Sequence, residues 1–181
     1  MKKRVLLILA DGFEEIEAIA VADVLRRLDS EVCLAGLDAL TVRGAHDMKI
    51  TADTLLSDVA ADCFDAVYLP GGLPGATNLL ESEPVGRILR ETAARGGIVS
   101  AICAAPIVLA KHGLLDGKIF TMYPGFEAYL NGLVPTGNSA ERCGNVITGK
   151  GPGAVFDFAA LLAGVLGLDT DALYEGMFVK I

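Results

Sequence analysis

The chain has no tryptophan, and aromatic residues make up only 6% of its 181 positions. Its core must therefore be mainly aliphatic, and 52% hydrophobic residues supply enough material for one. A chain of this length buries about 70% of the surface that its unfolded form exposes, which fits a single domain over residues 1–181. Positive charge is also in short supply: 15 Lys and Arg face 23 Asp and Glu, giving a net charge of −8. That balance argues against a nucleic-acid backbone as partner. Long like-charge runs, internal repeats and low-complexity linkers are absent as well.

Long apolar runs are missing too. Basic residues precede Val5 to Ala10, as in a secretory signal, but this six-residue run ends at Asp11 and Gly12. Signals need about 7–15 apolar residues and a small-residue cleavage site, so a first strand is the better reading. "GAVFDFAALLAGVLGL" carries Asp157 and is short for a bilayer span. No membrane association and a cytoplasmic location are expected.

Metal and cofactor signatures are equally scarce. Cys33, Cys63, Cys103 and Cys143 are widely and irregularly spaced, with no CxxC pair and no zinc ligand set. In a chain without an export signal they should be reduced thiols. His46 and His112 are the only histidines; one falls in a hairpin and the other ends a helix, so surface roles are expected for both. The glycine loop after Tyr68 lacks the Gly-Lys-Ser/Thr ending of a phosphate-binding loop. No metal and no cofactor are expected.

What is present is an alternation of strands and helices. Val5 to Ala10 reads as a strand buried on both faces. "FEEIEAIAVADVLRRL" reads as a helix with acids in its first turn and Ile16, Ile19, Ala20 and Leu28 at helical spacing. "EVCLAGL" and "FDAVYLPGG" predict strands, and "TVRGAHDMKITAD" predicts a hairpin turning near Gly44. "EPVGRILRETAARGG" predicts a helix with Pro84 near its start and Gly96 as its stop. "RGGIVSAICAAPIVLA" then predicts a strand followed by a helix from about Ala104. "KIFTMY" and "GNVITGK" predict further strands, "PGAVFDFAALLAGVL" a long helix, and Thr170 to Met177 a short last one. Such an order predicts an α/β three-layer sandwich around a mostly parallel sheet.

Ligands of open α/β sheets bind beyond the carboxyl ends of the strands. "DGFEEIE", "PGGLPG", "AICAAP" and "TMYPG" should meet there. Cys103 falls where a strand turns into a helix, the geometry that exposes a nucleophile and can lower a thiol pKa; a buried, inert cysteine is the alternative. Glu14, Glu15 and Glu17 can simply face water at a helix start. Yet Glu14 and Glu17 share one helix face, so one of them can point into the crevice with Cys103. A carboxyl beside a thiolate tends to keep its proton and can then donate to sulfur and move a proton. Gly71 and Gly72 can form a turn or offer N–H groups to an oxyanion.

"LLILADGFEEIEAIAVADVLRR", "VYLPGGLPGATNL", "AICAAPIVLA" and "GKGPGAVFDFA", in this order, resemble the DJ-1/ThiJ/PfpI superfamily, and its DJ-1 branch most closely. The resemblance implies a flavodoxin-like α/β sandwich and a homodimer. It also implies that Cys103 is a reactive, oxidation-prone nucleophile, with Glu17 its protonated hydrogen-bonding partner. Gly72 and Ala104 match positions whose backbone amides face the site. Related intracellular peptidases have a histidine directly after the cysteine, where this chain has Ala104. Much of the DJ-1 branch has a histidine before the proline that follows the next strand, where this chain has Tyr123 before Pro124. A tyrosine with a pKa of about 10 is a poor base at neutral pH, which weakens an amidase or peptidase reading.

By this resemblance the expected function is a cofactor-free, cysteine-dependent enzyme for reactive carbonyls. Members are described as glyoxalases, which convert 2-oxoaldehydes to hydroxy acids, and as deglycases. A small aldehyde or glycated substrate is the expected partner. Alternatives from other classes are an oxidation sensor or chaperone-like protein acting through Cys103, and a weak amidase.

Overall fold

The structure, a computed structural model, describes residues 2–180. Its central sheet has seven strands. In chain order these are β1 (Arg4–Leu9), β2 (Glu31–Gly36), β5 (Thr54–Leu55), β6 (Ala66–Leu69), β7 (Ile98–Ile102), β8 (Ala140–Cys143) and β9 (Val146–Gly149). They lie in the order β5-β2-β1-β6-β7-β9-β8. All pairings are parallel except β8 with β9. The predicted hairpin is separate: β3 (Thr41–Arg43) pairs antiparallel with β4 (Lys49–Thr51).

The helices are α1 (Glu15–Arg27), α2 (Gly75–Glu81), α3 (Glu83–Ala94), α4 (Pro106–Lys111), α5 (Val155–Val165) and α6 (Asp171–Gly176). Side chains of a strand alternate between the two faces, and β1 shows how the layers use this. Leu6 and Ile8 join the core beneath α2, α3 and α4, while Val5, Leu7 and Leu9 join the one beneath α1 and α5. The expected three-layer sandwich is what the chain forms. Among the described residues, no helix is long and apolar enough to cross a membrane.

Three local expectations need correction. Residues 118–123 ("KIFTMY") form no strand. Their hydrogen bonds go elsewhere: Thr121 N–H donates to Thr148 Oγ1, Tyr123 N–H to the Cys103 carbonyl, and the Phe120 carbonyl accepts from Thr136. The place beside β7 is taken by β9. In α1 the buried residues are Glu15, Glu17, Ala18, Val21, Ala22, Val24 and Leu25, whereas Ile16 and Ile19 are 54% and 40% exposed. The helix turns a carboxyl inward at the expense of two isoleucines. Finally, the helix after Cys103 begins at Pro106, two residues later than expected.

Candidate active site

Strand β7 is buried along its whole length and ends at Ile102. Cys103 follows with φ +61°, a left-handed conformation that costs a non-glycine residue about 1–2 kcal/mol. Two backbone bonds hold it there: the Cys103 N–H donates to the Gly149 carbonyl at 2.9 Å, and the Cys103 carbonyl accepts from Tyr123 N–H at 2.9 Å. Ala104 and Ala105 are buried behind it, and small side chains allow the chain to bend sharply into α4. The sulfur is thereby presented at the carboxyl end of the sheet, where the crevice rule places ligands.

Glu17 meets it from α1. Its side chain is fully buried; Oε2 accepts from Gly71 N–H at 2.7 Å, and Oε1 makes no hydrogen bond to a neighbouring N or O. The Tyr68 hydroxyl donates to the Glu17 carbonyl at 3.0 Å and fixes the helix turn from below. A Cβ on Gly71 would lie 2.6 Å from Cys103 Cβ and 2.8 Å from Glu17 Oε2, so only glycine fits between them. Gly72, with φ +86°, lies against Gly12 and Phe13 and aims its N–H at the Cys103 sulfur, as Ala104 does.

Burial dominates the electrostatics of this pair. It pushes the Glu17 carboxyl up to about 7, against the Gly71 N–H and the Cys103 contact, which pull it down. Burial also pushes the Cys103 thiol up to about 12, with the Glu17 charge and hydrogen bond adding to it, against the Gly72 and Ala104 amides. The lowered thiol expected from a helix start is thus overturned. The six-residue α4 starts three positions downstream, and two amides do not offset desolvation and a neighbouring carboxylate. Thiol and carboxyl instead behave as one unit, in which the first proton lost above about 7 leaves a single proton for two sites.

Of the remaining residues singled out in the sequence, Glu14 is close by. Its N–H donates to the Gly71 carbonyl at 2.9 Å, and burial raises its carboxyl. Glu15 does not face water. It is buried, and its carboxylate takes the His46 N–H at 2.7 Å and His46 Nδ1 at 2.8 Å. His46 itself is exposed, as expected, whereas His112 is half-buried against Gly86 with Arg90 on its Nδ1. Glu14, Glu15 and His46 offer ligand atoms within 4.8 Å of one another, but Glu15 and His46 already satisfy each other as an ion pair. Tyr123 lies beside the site through its backbone bond to Cys103, with its ring against Gly151. Sequence reading missed the Glu15–His46 pair and the parts played by Gly149 and Gly151. Positions 31 residues apart along the chain give no local signal of pairing.

A hollow of about 360 Å³ is lined by Tyr123, Pro124, Ser139, Lys150 and the segment Gly151 to Ala154. Another, of about 630 Å³, lies at the opposite end of the sheet, between Lys3, Asp65, Gly97 and Asn145, where the strands begin.

Residues 3–164 match the model of the DJ-1/PfpI family. The chain belongs to this family. Drosophila melanogaster dj-1beta is 46% identical over 166 residues, covering 90% of this chain and 89% of that protein. The crystal structure of DJ-1beta superimposes with a TM-score of 0.94 at 42% identity over 100% of both chains. A glutathione-independent glyoxalase of Caenorhabditis elegans, DJR-1.2, is 35% identical, with 87% of this chain and 85% of that one covered. A deglycase of Pyrococcus abyssi is 33% identical, with 68% and 74% covered. DJ-1/PfpI membership accounts for the mostly parallel sheet and its helical layers, as the resemblance implied.

Proposed function

We propose that the protein is a cofactor-free enzyme that uses Cys103 and Glu17 to convert 2-oxoaldehydes to 2-hydroxy acids, or to act on early glycation adducts. The observation that carries this reading is the burial of one thiol against one carboxyl whose pKa of about 7 suits a general acid–base group at neutral pH. The glyoxalase and deglycase names of the two relatives agree with it.

In this mechanism Glu17 accepts the Cys103 proton as sulfur attacks the aldehyde carbon. The C=O electron pair moves onto oxygen, and protonation gives a hemithioacetal. The Gly72 and Ala104 amides that face the sulfur lie next to the developing oxyanion. Glu17 then removes the hydrogen from the former aldehyde carbon, a proton returns to the adjacent carbon, and the hemithioacetal hydroxyl proton passes to the ketone oxygen. The product is a thioester of the 2-hydroxy acid. Water attacks it, the C–S bond breaks, and the thiol regains its proton. Substrate carbons exchange oxidation levels with each other, so no outside oxidant or reductant is required.

Exposed Ile16, Ile19 and Met48 support the homodimer expectation, since such apolar surface on and beside α1 suits a second copy. The test of the reaction is methylglyoxal consumption with lactate formation, for the wild type, Cys103→Ser and Glu17→Gln. Turnover lost in both variants supports the mechanism. Full turnover in Glu17→Gln removes the carboxyl from it, and no turnover in the wild type overturns the reading.

A further inference from the structure

Resting on the carbonyl reading above, we infer that the hollow beside Cys103 selects substrates whose aldehyde carries an apolar body ending in a carboxylate, with Lys150 as the residue that reads the charge. The hollow is joined to the nucleophile turn by two backbone bonds. Tyr123 N–H donates to the Cys103 carbonyl, and Cys103 N–H donates to Gly149, the residue before Lys150. Its volume of about 360 Å³ falls within the range of small-molecule sites, about 300–1,000 Å³. A three-carbon oxoaldehyde leaves most of that space to water.

The lining gives the class of the body. The Tyr123 ring, Pro124, Pro152 and Ala154 are apolar surfaces, and Gly151 lets the tyrosine ring approach, because a Cβ there would come within 3.1 Å of Cδ2. An aromatic or otherwise flat apolar group packs well on such a wall.

Charge gives the end of the body. Lys150 N–H donates to Ser139 and its Nζ donates to the Gly137 carbonyl at 2.9 Å. This holds the ammonium by one bond and leaves it two donors, on a residue that lines the hollow. Among the described residues Lys150 has no carboxylate partner, although the chain carries a net charge of −8. An ammonium held by one carbonyl, on a residue that lines the hollow, is matched by an anion from outside the chain.

The deciding measurement is calorimetric binding of 4-carboxybenzaldehyde and benzaldehyde to wild type, Lys150→Met and Lys150→Arg. Neither probe has a ketone beside its aldehyde, so neither is converted to a hydroxy acid. The preference for the carboxylated probe should fall about five- to tenfold in Lys150→Met and persist in Lys150→Arg. An equal preference in wild type and Lys150→Met overturns the assignment. Turnover of phenylglyoxal and 4-carboxyphenylglyoxal is followed in parallel. Its absence for both and for methylglyoxal refutes the carbonyl reaction, while the binding ratio still decides the role of Lys150.

Discussion

Gly71 donates its N–H to Glu17 Oε2 at 2.7 Å, and the spot where its Cβ would sit is 2.6 Å from Cys103 Cβ. One residue thus orients the carboxyl and sets its distance from the thiol. Gly71→Ala should push the two apart, lowering kcat/KM for methylglyoxal at least about tenfold and stability by about 1–3 kcal/mol. Steady-state kinetics and urea unfolding read the two effects. Wild-type kinetics in this variant would show that the spacing is immaterial.

The pair also predicts a pH profile. Well below about 7 both groups hold protons, and above it the pair carries one. That single-proton state contains both the thiol–carboxylate and the thiolate–carboxylic acid forms, so it is the state able to attack. kcat/KM should therefore rise through about 7, and Glu17→Gln should lose that rise along with about 10²–10⁴ of rate. A rise that persists in Glu17→Gln would assign it to another group.

Stability should run the other way. Glu17 binds its proton more tightly folded than unfolded, with its pKa moved from 4.5 to about 7. Its favourable contribution is complete below 4.5 and is lost as pH rises towards about 7, on the order of 3 kcal/mol. Glu17→Gln removes this dependence. In mildly alkaline buffer the variant should melt higher than the wild type, which scanning calorimetry across pH can check.

Glu15 and His46 form a second pH-dependent contact. Burial pushes the Glu15 carboxyl up, but the His46 ring and backbone N–H groups outweigh it and the net shift is downward. The Glu15 hydrogen bond raises the His46 imidazole. His46 stabilises below the ordinary imidazole value and ceases to as pH rises through its raised one. Glu15 stabilises above the ordinary carboxylate value and ceases to as pH falls through its lowered one. His46→Ala should lower the melting temperature at mildly acidic pH and have less effect in alkaline buffer. A pH-independent loss would show that packing alone is at stake.

Tyr68 offers a control for positioning. Its hydroxyl donates to the Glu17 carbonyl, and its ring lies tilted against Phe158 with centroids 5.1 Å apart. Tyr68→Phe should cost about 1 kcal/mol of stability and leave the midpoint of the kcat/KM pH profile in place. A moved midpoint would make Tyr68 part of the electrostatics of Glu17.

Much of this was legible in the chain. Buried parallel strands write themselves as continuous apolar runs, so β1, β6 and β7 stood out, and with them the turn that carries Cys103. Glu17 could be named through the family resemblance, but not told from Glu14 by spacing, since the two share one face at the start of one helix. The sign of the thiol's pKa shift was not legible. A helix start is visible in sequence, whereas the desolvation that overrides it exists only once Glu17, Gly71 and Cys103 have been brought together. Residues 118–123 misled because their β-branched and aromatic composition is that of a strand, while their partners, Thr148 Oγ1 and the Cys103 carbonyl, belong to distant parts of the chain.

The left-handed backbone at Cys103 has a consequence for what the turn is for. Glycine is relaxed at such a position, and any L side chain there is strained. Cys103→Gly should relieve that strain, offset in part by lost sulfur packing, and it would abolish whatever the sulfur does. Folding alone favours the residue with no side chain at this corner. A thiol there gives up turn stability for a sulfur placed against Glu17.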